Sequence, residues 1–519
     1  MTAPWHGNGF SSARQLKGRE KAVSFVGNLA VKVCGGTGLR AAGAALVDLV
    51  MANMSAAQVA SCTGGVLVSG SGTVAVSGVS IDSRTLKHGD LFFAIRGPRN
   101  DGHRYVADVL ARGAAGAVVA ADYGVPPDYP ADRVLLHVSD THQALKAIAA
   151  HLRSQWQGNL VAITGSMGKT TTKEFSAHVL QTSFTVYRSP GNYNNLFGLP
   201  LALCALSSDD QVGIFEMGMS APGEITEMCR LARPAVGVIT NVAPVHLEFF
   251  AGIEEIARAK AELAAGLMSG GTLIYNADDP LVASIGSSFQ GRKICFGLAE
   301  RSDVRAGNIE LAGLRETRFS VAAAGRTRPA SVPFAGQHYV MNALAAVALG
   351  LHFGIDLDQI IASLRHLRQN PMRGQVLTFE DGFTVIDDSY NSNPRALRLM
   401  IETLCGLPCS GRRILVAGEM LELGNESGSL HYECGACASR CGVDIVVAVR
   451  GTAREVVRGA VESGMSPGSA YFFTEVDPAT DFVTRAVKPG DIVLVKGSRG
   501  TQLDRMIRAL KASHAERTN

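Results

Sequence analysis

Between the apolar run Leu160-Val-Ala-Ile163 and a helix-forming stretch, the chain carries Gly165-Ser166-Met167-Gly168-Lys169-Thr170-Thr171-Thr172. A strand, a glycine loop and a helix N-terminus in that order demand an α/β arrangement built around an anion. Glycines let backbone N–H groups approach phosphate, the helix start adds partial positive charge, Lys169 supplies a full one and Thr170 offers magnesium a hydroxyl. The loop is not a complete G-x-x-x-x-G-K-[ST] motif, because Ile163 stands where the first glycine belongs. A purely structural turn is the competing reading.

With 519 residues the chain has length for two to four domains. An apolar fraction of 46% and a charged fraction of 18% are globular values, and a formal charge of +3 is too small for a nucleic-acid footprint. Small-molecule partners are expected. No apolar run reaches the roughly 18 residues that span a bilayer, since even Ala41 to Val50 contains Asp48. Residues 1–53 read as an extension of unknown role. Arg14, Lys17, Arg19 and Lys21 precede an apolar stretch, but Gly27, Asn28 and Lys32 interrupt it, against a secretion signal.

Of the ten cysteines, Cys434, Cys437 and Cys441 follow Leu430 at steps of four, three and four, one stripe of a helix. Buried reduced thiols are expected rather than a metal or redox site, because a well-spaced fourth ligand is missing.

Three segments follow. Residues 54–157 alternate short strands (Val79 to Ile81, Leu91 to Ile95, Ala117 to Ala120, Val134 to Val138) with helical stretches, a small α/β module; Val59, Val66 and Val68 read as its amphipathic start. Residues 158–369 form a larger α/β unit opened by the glycine loop, with strands at Val212 to Phe215, Val236 to Thr240 and Thr272 to Tyr275 and a β-rich insertion around Lys293 to Pro333. Residues 370–519 carry strands at Thr384 to Ile386, Ile414 to Ala417, Ile445 to Val449 and Ile492 to Val495 between helices, a doubly wound, Rossmann-like sheet.

Open α/β sheets bind ligands at their strand ends. Glu216 ends one central strand and suits magnesium, Asn241 ends the next, and His246 follows it. Lys260 lies in the apolar stripe Ile253, Ile256, Leu263, Leu267. It either snorkels or pairs with a carboxylate, or it is used chemically: burial favours a neutral amine, which can take up carbon dioxide as an anionic carbamate.

These residues together resemble the Mur ligases, the ATP-dependent amide-forming enzymes of bacterial cell-wall synthesis. The likeness runs through Thr164 to Thr170, Gly191-Asn192-Tyr-Asn194-Asn195 to Pro200, Glu216-Met-Gly218, Asn241 with His246-Leu-Glu248, and Ala259-Lys260-Ala-Glu262. It continues through Gly336-Gln-His338 with Asn342, Arg373, Asp387-Asp388-Ser389-Tyr390-Asn391-Ser-Asn393-Pro394, Gly418-Glu419-Met420 and Val495-Lys496-Gly497. It covers roughly Met54 to Leu510. The Gly191 to Pro200 and Asp387 to Pro394 runs are most similar to the member that adds a dipeptide. The Asp-Asn-Pro-Arg motif by which a tripeptide-forming relative recognises diaminopimelate is absent. Asp82-Ser83-Arg84 is similar to that member's UDP-sugar domain. Met167 departs from the small residue usual in the loop, and residues 1–53 have no counterpart.

The resemblance implies three domains: a UDP-substrate domain, a P-loop-type ATPase domain with a mostly parallel sheet, and the Rossmann-like domain. It implies ATP-driven joining of D-alanyl-D-alanine to UDP-N-acetylmuramoyl tripeptide through an acyl phosphate, in a cytoplasmic monomer whose domains close over the substrates. Lys169 and the amides of Gly165, Ser166, Met167, Gly168, Thr170 and Thr171 would hold phosphates. Thr170 and Glu216 would take one Mg2+, and His246 with Lys260 as N6-carboxylysine a second. Asn342 and Arg373 would contact ATP, and Asp388 would orient the nucleotide or the incoming amine. Ser83, Arg84, Asn192, Asn194, Asn195 and Asn391 would face the peptide substrates. A neighbouring ligase of the family, adding an amino acid or glutamate to a folate, is the alternative; a non-catalytic nucleotide-binding protein is the other.

Overall fold

The computed structural model describes residues 54–97, 100–245 and 247–517. Residues 1–53 and His246 therefore lie outside the described residues. The chain forms two compact units. One takes in the chain up to Ile163 with Phe184–Gly237 and Glu262–Gly271; the other has Thr164–Ser183, Val238–Ala261 and everything from Thr272.

In the first unit a five-stranded sheet runs in the order Val66–Ser69, Val134–Val138, Gly116–Ala120, Asp90–Phe93, Gly78–Ser80. Its pairs are parallel except the first. The helix Thr141–Gln155 is capped by Asp140, whose carboxylate accepts from the amides of His142 and Gln143, and it buries Ala144, Leu145, Ile148, Ala149 and Leu152 at helical spacing. The expected strands are present within a residue or two. The expected amphipathic start is different: a helix Ala56–Thr63 ends at Gly64 in the left-handed conformation, and Val66–Ser69 is a strand. Gly64-Gly65 separates what looked like one pattern, and Val66 remains 65% exposed on the edge strand. The same unit holds the parallel strands Asn159–Thr164, Val212–Glu216 and Val186–Arg188, paired from Asn159 to Ile163.

In the second unit, Thr272–Asn276 pairs in parallel with Arg292–Gly297, and the chain continues as the meander Val304–Leu311, Thr317–Ala323, Arg326–Val332. This is the expected β-rich insertion. The glycine-loop helix Lys169–Leu180 and the helix Gln337–His352 pack together, with Phe175 stacked on Phe334 at 5.3 Å between centroids.

The C-terminal sheet has six strands in the order Gln375–Thr378, Thr384–Asp388, Ile492–Lys496, Arg413–Gly418, Ile445–Val449, Ala470–Phe473. Only the first pair is antiparallel. Its strands alternate between two cores: Leu415, Ala417, Val446, Ala448 and Leu494 face one, and Ile414, Val416, Val447, Val449 and Val495 the other. A sheet buried on both faces is doubly wound, as the sequence indicates. Leu430, Cys434 and Cys437, on the helix Ser427–Cys441, pack in the first core with Leu397 and Leu404, which gives the thiol stripe a packing role. Burial pushes the Cys434 and Cys437 thiols up to about 12, away from reactive thiolate.

Candidate active site

The glycine loop is held from behind. Asn241 brackets Met167, its Oδ1 accepting from the Met167 amide (2.9 Å) and its Nδ2 donating to the Met167 carbonyl (3.1 Å). The Asn241 carbonyl accepts from the Ser166 amide (2.9 Å), and the Ser166 hydroxyl donates to the Ala243 carbonyl (3.1 Å). Asn241, singled out as a strand-end candidate, is thus a loop clamp. The amides of Ser166 and Met167, expected to face phosphate, are spent on that clamp, which leaves the phosphate role to the loop's later residues. There the helix starts at Lys169 with Gly168 as N-cap and no side-chain cap, the arrangement that an anion completes.

Gly165 and Gly168 have φ of 150° and 76°. A Cβ on Gly168 would sit 2.4 Å from Asn342 Oδ1, and one on Gly165 1.9 Å from Thr240 Oγ1. Both glycines are required by close approach as well as by φ. Gly168→Ala should cost about 1–2 kcal/mol of stability and weaken ATP affinity, read by thermal melting and by KM for ATP. An unchanged KM would show that the loop tolerates a side chain there.

Lys169 Nζ donates to the Gly165 carbonyl (2.7 Å), spanning the loop. Asn342 is buried under the loop and accepts from the Thr172 hydroxyl (3.2 Å). Arg373 reaches the same loop from the segment before the C-terminal sheet, its Nη2 donating to Thr170 Oγ1 (3.4 Å). Lys169, Thr170, Asn342 and Arg373 are therefore brought together.

Lys260 is 2% exposed on the helix Ile253–Ala265, with no carboxylate partner among the described residues. Burial, then the charge of Lys169, drives its pKa well below the ordinary lysine value. Among the described residues it neither reaches solvent nor pairs with a carboxylate, and burial favours the neutral amine, which is the reactive form.

Glu216 closes its strand at 3% exposure, with Oε1 accepting from Asn194 Nδ2 (2.8 Å). Asn194 thus orients a carboxylate rather than standing alone. Asn195 Oδ1 accepts from the amides of Phe197 and Gly198 (3.1 and 2.8 Å), so this residue, expected to face substrate, starts the helix Gly198–Cys204. The guanidinium of Arg84 is paired with Asp82 through two bonds (2.9 and 3.0 Å), and the Ser83 carbonyl accepts from Arg112 (3.1 Å). For Asn192 the bond described is its carbonyl accepting from the Asn194 amide (2.7 Å).

Asp388 forms an ion pair with Lys496 (2.5 Å), and Lys496 also donates to the Asn391 carbonyl (2.9 Å). The parallel register sets Asp388 opposite Lys496. In the sequence Lys496 stands within the Val495-Lys496-Gly497 motif, and its place at the end of an apolar strand is the signal that marks it. His338 lies near this pair, and burial pushes its pKa down to about 4, so the ring is neutral.

Family models match the chain in three places: the Mur ligase family catalytic domain at residues 75–153, the Mur ligase middle domain at 163–350 and the Mur ligase glutamate ligase domain at 372–499. The chain belongs to the Mur ligase family. Among its relatives, the UDP-N-acetylmuramoyl-tripeptide–D-alanyl-D-alanine ligase of Bacillus subtilis is 33% identical over 84% of this chain and 93% of its own. The ligase of that name from Escherichia coli is 33% identical over 84% and 94%. Among solved structures, MurF from Acinetobacter baumannii superposes with a TM-score of 0.79 at 29% identity over 88% of this chain and 99% of that one. MurF from Thermotoga maritima, in complex with ADP, gives 0.73 at 27% identity over 84% and 97%. This Mur ligase thus shares its α/β architecture with MurF enzymes along most of its length.

Proposed function

We infer that this protein is an ATP-dependent carbon–nitrogen ligase that joins D-alanyl-D-alanine to UDP-N-acetylmuramoyl tripeptide, yielding the pentapeptide precursor of peptidoglycan. The observation that carries it is the convergence of Lys169, Thr170, Asn342 and Arg373 on one glycine loop, in a chain 33% identical to ligases of that name over 84% of its length. The γ-phosphoryl group of ATP passes to the tripeptide's terminal carboxylate and ADP leaves. The dipeptide amine then attacks the acyl phosphate, and phosphate departs as the amide forms. Such a reaction asks the protein chiefly to position reactants and offset charge.

Lys169 and the amides from Gly168 to Thr171 hold the phosphates in this reading, and Arg373 approaches them from the side of Thr170. Asp388, fixed by Lys496, orients the nucleotide or the incoming amine. The donor set fits magnesium: Glu216 is a buried carboxylate already oriented by Asn194, and Thr170 carries a hydroxyl, both hard oxygen donors. We assign Thr170 and Glu216 to one Mg2+, and His246 with Lys260 as N6-carboxylysine to a second. Bound magnesium would offset charge on the phosphates and the acyl phosphate. Ser83, Arg84, Asn192 and Asn391 remain assigned to the peptide substrates, with residues 54–157 as the UDP-substrate domain, 158–369 as the ATP domain and 370–519 as the ligase domain. The same reading makes the enzyme cytoplasmic and monomeric.

Phosphate release by purified protein with magnesium ATP and UDP-muramoyl tripeptide, with and without D-alanyl-D-alanine, tests the reading when product is followed by mass. Release and pentapeptide should both require the dipeptide. Turnover supported instead by single amino acids or glutamate would overturn the substrate and leave the family standing.

A further inference from the structure

Arg373 stands on an unusual piece of backbone. Met372 before it has φ of 63° and Gly374 after it φ of 74°, and a left-handed methionine is uncommon without a compensating contact. The compensation is local. The Tyr339 hydroxyl donates to the Arg373 carbonyl (2.8 Å), and it occupies the space a side chain at residue 374 would need, 2.0 Å from where a Cβ would lie. Gln369 closes the turn, its Nε2 donating to the Gly374 carbonyl (2.6 Å) and its Oε1 accepting from the Val376 amide (3.1 Å).

The tyrosine is itself anchored to the phosphate loop's own helix. Its ring is buried against Phe334 (4.9 Å between centroids), and both rings stack with Phe175 of the helix Lys169–Leu180. At the other end of Arg373, the guanidinium lies over the Tyr390 ring at 4.1 Å while Nη2 faces Thr170. The Tyr390 amide also donates to the Met372 carbonyl (3.2 Å). One tyrosine therefore holds the arginine's peptide and the other its charged plane.

We propose that Tyr339 and Tyr390 are positioning residues that hold Arg373 toward the phosphate loop, so that its charge is in place before ATP arrives. The proposal rests on the reading of Arg373 as an ATP-contacting group. A long arginine side chain loses much rotamer freedom when ordered; a hydroxyl on its peptide and a ring under its guanidinium settle that loss in the folded protein, and the fixed charge then serves the transferred phosphoryl group. Burial raises the Tyr339 hydroxyl pKa far above the ordinary tyrosine value, so it stays a donor at every working pH.

A double-mutant cycle tests this. Wild type, Tyr339→Phe, Arg373→Ala and the double variant are compared for affinity toward a magnesium-bound non-hydrolysable ATP analogue by calorimetry, for kcat, and for thermal melting. Tyr339→Phe should weaken analogue binding about fivefold and lower kcat about tenfold, with the affinity for UDP-muramoyl tripeptide unchanged. In the Arg373→Ala background the same change should matter less than about twofold. Equal losses in both backgrounds would overturn the proposal, since the hydroxyl would then act without the arginine. Full activity in Arg373→Ala would retire the reading of Arg373 and the proposal with it, a result distinct from the first. Tyr390→Phe should keep activity and Tyr390→Leu should lose it to a similar degree as Tyr339→Phe; equal activity of the two would remove the ring from the argument.

Discussion

Lys169→Ala is expected to lower phosphate release and pentapeptide formation about a thousandfold, while the affinity for UDP-muramoyl tripeptide changes less than about twofold. Lys169 is the full positive charge at the start of the helix Lys169–Leu180, and its Nζ already spans the loop to the Gly165 carbonyl. A charge there gains most when the γ-phosphoryl group is in transit and its oxygens carry spreading negative charge. Removing the amine also removes a brace on the loop, so KM for ATP should rise as kcat falls. The affinity for the UDP-linked substrate, measured by calorimetry without nucleotide, is the control. Parallel loss of both affinities would mean that the loop also carries the UDP substrate, against the proposed domain roles.

Lys260→Ala should cost about a hundredfold in kcat, and acetate or formate at tens of millimolar should restore part of it by supplying the missing carboxylate. The reasoning starts from burial: the amine is held well below the ordinary lysine pKa by desolvation and by Lys169. A lowered pKa keeps the amine neutral down to a lower pH, and only the neutral form takes up carbon dioxide. Wild-type activity should therefore fall as pH drops through that lowered pKa, and should fall further in carbonate-free buffer at any pH. Labelled bicarbonate should give a carbamate carbon signal in the wild type and none in the variant. Without a signal or a rescue, Lys260 is an ordinary buried amine.

The parts of this molecule set by local chemistry could be read from the chain. The strand, glycine loop and helix around Lys169 are written in consecutive residues, as are the Asn393 cap and Pro394 that open the helix Pro394–Gly406. The stripe that buries Lys260 follows helical period, while the sequence leaves open whether the amine escapes to solvent, pairs with a carboxylate or is used chemically. Pairings across the chain were harder to see. Asp388 meets Lys496 over 108 residues because strand register brings them together, and Asn194 reaches Glu216 from the loop before the helix Gly198–Cys204. Asn195 and Asn241 belong to motifs that also contain site residues, yet one caps a helix and the other clamps a loop; a motif records proximity without separating ligand contact from support. Tyr339 left no mark in the sequence, since a tyrosine in an apolar helix reads as core until its hydroxyl is seen to hold Arg373.

The strand order of the C-terminal sheet bears on biosynthesis. Ile492–Lys496 leaves the ribosome after the other five strands of its sheet, yet it lies between Thr384–Asp388 and Arg413–Gly418, which start about 110 and 80 residues earlier. Until it arrives, the sheet is two fragments with open edges, and Asp388 lacks its lysine. A nascent chain that has not yet delivered this strand therefore leaves the sheet split, and the same insertion that completes the fold brings Lys496 to its ion pair with Asp388. Closure of the sheet and formation of this buried ion pair thus depend on a single late event.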